Sequence, residues 1–327
     1  MKASVLIDWF AFTVKCQGWE KDGVKHSSGI WDVEGVIEGV LRLPKDSFQP
    51  AGFSRYGYRD CVECNGIQIH FNGNSLDMGV FVSLSGNACR VYEQHHTLLE
   101  LVEVVYNRED AKVTRIDLAC DDKEGVLNIG KVIEEIRAGN LRSRASKKTG
   151  YFDLAGKGLG EASSVYIGSP SSEVRFRIYD KAKEQGDYDG VWNRLEGIFR
   201  HDSAAAVLER IFTSGEEFGE CVAMIINDKI QFIVQDDSNI TRCSIVRWWH
   251  DFIETVRRLH LALPEKPVAS VERLAGYIET LSACVYVMSE SYGKRIWKSI
   301  YERGKERAGP RHRRMIDDYK RLVNAPA

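Results

Sequence analysis

Alternation of apolar and polar side chains recurs through the first two-thirds of the chain. The runs Val5–Val14, Ile67–Asn72, Val80–Ser85, Val113–Cys120, Ser164–Gly168, Val174–Tyr179 and Trp192–Phe199 have the length and the β-branched or aromatic content of strands. Between them a longer period appears. Val33–Leu43 reads as a helix. Gln94–Tyr106 places Leu98, Leu101, Val102 and Val105 on one stripe, and Asn128–Ala138 does the same with Ile129, Val132, Ile133 and Ile136. Strands interspersed with helices, without regular βαβ alternation, predict an α+β fold: a largely antiparallel sheet with helices covering one face.

Helical patterns take over further along. Ser203–Thr213 contains the strong helix former Ala204-Ala205-Ala206. The strand-like run Lys229–Gln235 leads into a polar break, Asp236-Asp237-Ser238-Asn239. Beyond it come Trp248–Leu261, two prolines (Pro264 and Pro267) and Val271–Ser282. The chain therefore divides on paper into residues 1–235, which carry the sheet, and a helical C-terminal region, 236–327. Gly150–Gly160 holds four glycines and is expected to be a loop between strands. No internal repeat is evident, although Ile7-Asp8 and Ile116-Asp117 open their strands alike.

Composition narrows the class. A chain of 327 residues with 43% hydrophobic and 28% charged side chains has room for one large domain or two, and reads as soluble and globular. No run approaches the ~20 apolar residues of a membrane span. The stretch from Met1 to Phe10 has neither the basic start nor the long apolar run of a signal peptide, so a cytoplasmic protein is expected. Most of the eight cysteines, Cys120, Cys221 and Cys284 among them, fall inside apolar runs and read as buried free thiols. Cys61 and Cys64 form a lone close pair without a second one, which favours thiols over a zinc site.

The net charge of −2 gives no global signature of nucleic-acid binding, so any such surface must be local. The clearest candidate is the segment from Lys294 to Arg321, with eleven Lys and Arg against four acids. A solvated helix face is the competing reading.

Splitting three strands by parity gathers chemistry on one side. One face of Arg115–Asp121 carries Arg115, Asp117, Ala119 and Asp121. One face of Arg175–Lys181 carries Arg175, Arg177, Tyr179 and Lys181, and one face of Arg194–Arg200 carries Arg194, Glu196, Ile198 and Arg200. The opposite faces are apolar. Guanidinium groups suit bidentate phosphate recognition, and carboxylates suit magnesium or manganese. A tyrosine among them is a candidate nucleophile once activated. Ordinary surface ion pairs on a solvated sheet are the alternative.

The series Leu84-Ser85-Gly86 with Cys89-Arg90, Thr114-Arg115-Ile116-Asp117-Leu118-Ala119 with Asp121-Asp122, Tyr166-Ile167-Gly168-Ser169, Arg177-Ile178-Tyr179-Asp180-Lys181 with Glu184, and Arg194-Leu195-Glu196 with Arg200 resembles the Rep_trans family. These are replication initiation factors of certain plasmids, filamentous phages and integrative elements. The motifs cover about Leu84 to Arg200, and their order and spacing carry the match.

The resemblance implies a rolling-circle nickase. Tyr179 matches the family's nucleophile, which becomes linked to a 5′ phosphate, frees a 3′ hydroxyl and can later religate. It further implies Mg2+ or Mn2+ held by Asp117 and Glu196, with Asp8 as a third ligand. Arg177 and Lys181 are expected to assist Tyr179, and Arg115, Arg175, Arg194 and Arg200 to contact DNA. Tyr166 and Tyr188 are the fallback nucleophiles. His95 and His96 are adjacent and would point apart on a strand, unlike the paired histidines of other tyrosine nickases, so both are read as structural. The implied partners are single-stranded or melted origin DNA, a host helicase and polymerase, and a second copy in a homodimer. The alternatives are a conjugative relaxase acting at a transfer origin and a non-catalytic origin-binding protein that uses the basic C-terminal helices and Trp248-Trp249.

Overall fold

A computed structural model describes residues 3–152, 162–187, 189–261 and 295–307, with the single positions 286, 290 and 293. Its strands are β1 (Ala3–Val14), β2 (Trp19–Lys21), β3 (Val24–His26), β4 (Gln49–Pro50), β5 (Tyr58–Cys64), β6 (Ile67–Gly73), β7 (Val80–Leu84), β8 (Ala111–Asp122), β9 (Leu141–Ser143), β10 (Lys148–Phe152), β11 (Ala162–Ile167), β12 (Val174–Asp180), β13 (Asn193–Arg200) and β14 (Ile230–Phe232). Its helices are α1 (Ile30–Gly39), α2 (Gly86–Tyr92), α3 (Leu98–Tyr106), α4 (Ile129–Arg137), α5 (Lys181–Glu184), α6 (His201–Thr213), α7 (Phe218–Lys229), α8 (Arg247–Arg257) and α9 (Arg295–Arg307).

Ten strands form one antiparallel sheet in the order β10-β11-β12-β13-β8-β1-β7-β6-β5-β4. The expected α+β fold is therefore the observed one. The order also contains a repeat that the sequence hides. Each half starts with a central strand (β1 or β8), passes through a helix (α1 or α4) to an outer strand (β4 or β10), and steps inward to pair beside its own first strand. Asp8 and Asp117 thus lie on the two central strands, which pair with each other.

Alternation on those strands explains the layers. Val5, Ile7, Phe10 and Phe12 of β1, Ile116, Leu118 and Cys120 of β8, Phe176 and Ile178 of β12, and Leu195 and Phe199 of β13 are all buried in the core. Helices α2, α3, α4 and α6 pack against these strands. The other face is left to the polar residues of the same strands, which is where the candidate site forms.

Several elements were not legible in the pattern. Helix α7 contains the run Cys221–Ile226, in which only Met224 is not buried. A short apolar run of this kind has no periodicity to assign it. Gly219 lets α7 approach the chain after α8, because a Cβ there would lie 2.0 Å from the Leu259 carbonyl oxygen. Strand β5 was missed because Arg59, Asp60 and Glu63 dilute its apolar content. The expected loop at Gly150–Gly160 begins instead as the end of β10, and residues 153–160 lie outside the described residues. The expected helix from Gln94 starts at Leu98, with Gln94, His95 and His96 in the connection and His96 stacked on Tyr92 at 5.0 Å.

Residues Met1–Pro264 make up one compact unit and Glu265–Ala327 a second. The polar break at Asp236 lies within the first, where β14 pairs with β9 and α8 packs on α7. The expected helix Val271–Ser282 is outside the described residues. The seven described cysteines are free thiols, and Cys61 Sγ lies 3.9 Å from His70 Nε2. Among the described residues no helix is long and apolar enough to cross a membrane.

Candidate functional site

Register puts the predicted side chains in one row. Across β12 and β13, Tyr179 faces Arg194 and Arg177 faces Glu196. Across β13 and β8, Arg194 faces Asp121, Ile198 faces Asp117 and Arg200 faces Arg115. Four neighbouring strands, β12, β13, β8 and β1, therefore supply the site from the polar face of the sheet.

Asp8 reaches this face through a break in the ladder. Ile7 pairs with Leu118, but Trp9 pairs with Asp117, leaving Asp8 as the extra residue of a β-bulge. The bulge sends two consecutive side chains, Asp8 and Trp9, to the same side, and both are half-buried where strict alternation would bury one. The Ile7 carbonyl at the break accepts a 2.5 Å hydrogen bond from Arg90 Nη2, which ties α2 to the bulge. Gly86 opens α2 directly over the bulge. A Cβ at this position would lie 3.0 Å from Asp8 Oδ1, so a side chain there would crowd the Asp8 carboxylate.

Arg194 is the internal brace. Its Nε and Nη2 donate to Asp121 at 2.7 and 2.9 Å, and its Nη1 lies 3.0 Å from Asp8 Oδ1. Asp121 is 5% exposed and Arg194 4%. Expected as a DNA contact, Arg194 is instead enclosed between two carboxylates. Asp122, the other half of the acidic pair, caps the following turn by accepting from the backbone N–H groups of Glu124, Gly125 and Leu127.

Asp117 is fully buried and takes a two-pronged bond from Arg115, Nε at 2.8 Å and Nη2 at 2.5 Å. Arg115 in turn lies over the Trp9 ring at 4.0 Å. Burial pushes the Asp117 carboxyl upward, Arg115 opposes this, and Asp8 adds to it. Glu196 is raised as well, first by burial and then by the charges of Asp117 and Asp8. No ion pair closes on Glu196 among the described residues. Acids from β1, β8 and β13 are thus close together, with Asp8 acting on both Asp117 and Glu196. Among the described residues, however, no group of three acids, histidines or cysteines converges as a metal-binding cluster. Asp8 is drawn to Arg194 and Asp117 to Arg115.

Tyr179 is 2% exposed, with the Arg177 guanidinium 3.6 Å and Lys181 Nζ 5.6 Å from its ring centre. Burial pushes its phenol well above the ordinary range. Arg194 lowers it, while Glu196, Glu184 and Asp8 raise it further. Glu184 on α5 ties the two flanking cations, 3.2 Å from Arg177 Nη2 and paired with Lys181. Tyr166 lies on the adjacent strand opposite Arg177, with the Arg175 guanidinium 3.9 Å over its ring. Tyr188 is outside the described residues.

Three of the expected DNA contacts gather at the other end of the row. Arg200 is held by the Ser172 carbonyl at 2.8 Å, and its pKa is lowered by burial and by the nearby charges of Arg115 and Arg175. Three guanidinium groups close enough to repel one another make a local positive field on a chain of net charge −2.

Sequence reasoning missed Trp9, Glu93 and the bracing role of Asp121. Trp9 was hidden because the bulge breaks period two. Glu93 follows α2, 3.1 Å from Arg90, and is raised to about 7 by burial, with Asp8 adding to the shift. Nothing in its local pattern marks it out.

Comparison with known proteins supplies the family. Residues 111–306 match Rep_trans, described as replication initiation factor, and residues 25–128 match the rolling circle replication initiation protein N-terminal domain. A putative DNA relaxase, NicK, from Bacillus subtilis (strain 168) is 30% identical over 264 residues, covering 75% of this chain and 73% of the relative. The solved structure of a rolling circle replication initiator protein from Geobacillus stearothermophilus superposes with a TM-score of 0.68 at 28% identity, covering 80% of this chain and 99% of that one. The chain belongs to the replication initiation factor family.

Proposed function

We propose that this protein nicks one strand of origin DNA by attack of Tyr179 on a phosphodiester, and so starts rolling-circle replication. The observation that carries this reading is the single row on the sheet's polar face: a buried tyrosine, two flanking cations, three carboxylates close together and a cluster of arginines. Family membership and the relatives named above support it.

In the proposed step the Tyr179 phenol loses its proton and its oxygen bonds to phosphorus. The bond from phosphorus to the 3′ oxygen breaks, and that oxygen takes up a proton. The 5′ phosphate stays on Tyr179, and the reverse attack reseals the strand. Arg177 and Lys181 would hold the phenol and offset charge on the phosphate. Arg115, Arg175 and Arg200 would hold neighbouring phosphates. The nucleotide must be splayed out, which requires single-stranded or melted DNA.

The oxygen chemistry of three acids suits a hard divalent cation, which would have to draw Asp8 from Arg194 and Asp117 from Arg115. Asp8, Asp117 and Glu196 are oxygen donors on adjacent strands, and the carboxyls of Asp117 and Glu196 are raised by burial and by their acidic neighbours. Mg2+ or Mn2+ bound there would supply Lewis-acid stabilisation of the phosphate. A cation there would offset Glu196 and Asp8, two of the charges that raise Tyr179, while burial and Glu184 still raise the phenol and Arg194 lowers it. A host helicase, a polymerase and a second copy of the chain are the partners proposed with this activity. The chemistry is the same at a replication origin and at a transfer origin, so the site cut separates initiator from conjugative relaxase.

The test is a denaturing gel of the protein after incubation with manganese and single-stranded origin DNA. A covalent protein–DNA adduct is expected. No adduct on any strand of the origin would leave a non-catalytic origin-binding protein.

A further inference from the structure

The polar face does not end at the carboxylates. Beyond Asp117 and Arg115 it continues across β1, β7 and β6, where the register pairs Ala11 with Arg115, Thr13 with Phe81 and Phe81 with His70. These side chains share the face of the candidate site. They are overlaid by the segment that leads into β5 together with the strand's first two residues, Ala51-Gly52-Phe53-Ser54-Arg55-Tyr56-Gly57-Tyr58-Arg59, which interleaves three aromatics with two arginines.

The segment is fixed from below. Ser54 Oγ bonds the Asp60 carbonyl at 3.1 Å and lies 3.3 Å from His70 Nδ1, and the Tyr58 hydroxyl donates to the Met78 carbonyl at 2.8 Å. Above these anchors two aromatic rings face outward. Phe53 is 40% exposed, with the Arg55 guanidinium 5.1 Å from its ring. Tyr56 is 62% exposed and stands edge-on over Phe81 and His70, at 5.3 and 5.8 Å between ring centres. Tyr56 is also near enough to Arg115 to influence its charge.

Tyr56 is an unusual choice for its backbone. Its φ is +58°, a left-handed conformation that turns normally assign to glycine, asparagine or aspartate. A bulky ring kept there, strained and exposed rather than packed away, is better explained by contact than by folding. Aromatic rings beside arginines on a rigid surface are what unpaired bases stack on, whatever their sequence. A duplex hides its base faces and has no use for such a platform.

We propose that Phe53, Arg55 and Tyr56, continuous with Arg115 and Trp9, form a platform for single-stranded DNA that stacks the bases flanking the scissile phosphate. This deepens the nickase reading above and rests on it for the position of the scissile bond. The platform keeps melted DNA from re-annealing beside Tyr179, and the pinned segment means that little ordering is needed on binding.

The test uses the full chain with Tyr179→Phe, so that no covalent product forms, and reads fluorescence anisotropy of a labelled mixed-sequence single strand of about 20 nucleotides, longer than the usual site of one single-strand-binding module. Tyr56→Asn suits the left-handed φ and removes the ring. It should weaken single-strand binding roughly tenfold, the range of one lost stacking contact, while duplex affinity and melting temperature hold. Phe53→Ala should act in the same direction, and Tyr56→Phe, which keeps the ring, should bind like the parent. Unchanged single-strand affinity in both Tyr56→Asn and Phe53→Ala overturns the platform. Failure of the unsubstituted chain to form any adduct defeats the nickase reading instead, and leaves these affinities standing as measured.

Discussion

Tyr179 and Arg194 sit opposite each other on β12 and β13, and Arg194 pulls the phenol's pKa down against burial and three carboxylates. The same guanidinium joins Asp121 to Asp8, so one side chain links the nucleophile's environment to two acids. Removing it leaves Asp121 buried without a counter-charge, with only the Ser4 hydroxyl, among the described residues, 3.3 Å away to donate to it. Breaking such a pair costs about 3–5 kcal/mol, which for a unit of this size lowers the melting temperature by roughly 6–20 °C. Arg194→Ala should show that loss in a thermal melt. Arg194→Lys keeps the charge but not the fork geometry and should fall between. A melt of Arg194→Ala close to the parent would mean that the brace is not buried in solution.

Asp117 and Glu196 make a different prediction because they carry like charges. Asp117→Asn and Glu196→Gln should each abolish nicking, and excess chelator should reproduce the effect on the parent. Glu196→Gln removes a carboxyl whose ionised form is disfavoured by burial and by Asp117, and should melt no lower than the parent at pH 7.5. Full nicking by either variant, or by the parent in chelator, removes the carboxylate–metal assignment.

Glu93 gives a pH signature for the bulge region. Its carboxyl is raised from 4.5 to about 7, chiefly because it is buried. Between these values the folded chain keeps a proton that the unfolded chain has released. Stability should therefore fall as pH rises through the window, and the full cost persists above it. Glu93→Gln cannot ionise and should lose this slope. The variant should gain on the parent by on the order of 1 kcal/mol between pH 4.5 and 7.5, a few degrees of melting temperature. Parallel melting curves for the two across that range would show that Arg90 fully compensates the charge.

How much of this was legible in the sequence depended on whether alternation was unbroken. Along β8, β12 and β13 strict period two put Arg115, Asp117, Tyr179, Glu196 and Arg200 on one face, and the register confirms the shared face. On β1 the alternation fails at the bulge. Asp8 was placed by resemblance, while Trp9 went unseen beside it. The enclosure of Arg194 depends on pairing across strands far apart in sequence, which no local pattern encodes. The repeated strand order was likewise invisible, since it lies in connectivity rather than in matching residues.

The basic C-terminal segment can be tested through α9. Lys298, Arg303 and Lys305 are exposed on this helix, as are Trp297, Ile300 and Tyr301. If the helix meets DNA phosphates, combined replacement of the three cations by alanine should weaken duplex binding and flatten its salt dependence. Each lost contact removes about 0.9 from the log–log slope. Adduct formation on a short single strand should be unaffected. An unchanged salt slope would make α9 a solvated or partner-binding helix.

The covalent residue is the most direct prediction. Tyr179 lies between Arg177 and Lys181, opposite Arg194, and diagonal to Glu196 on the next strand. Tyr166 shares the face one strand further out, but Glu196 is on the far side of β12 from it. Phenylalanine at 179 preserves the ring and its packing and deletes only the attacking oxygen. Tyr179→Phe should therefore melt like the parent and bind single-stranded origin DNA with similar affinity, yet give no nick and no adduct. Peptide mapping of the parent's adduct should locate the nucleotide within Arg177-Ile178-Tyr179-Asp180-Lys181. A nucleotide on Tyr166 or Tyr188 would move the nucleophile and keep the nickase. A Tyr179→Phe protein that still forms the adduct at the parental rate would require the same revision, because no other oxygen on β12 occupies the place between those two cations.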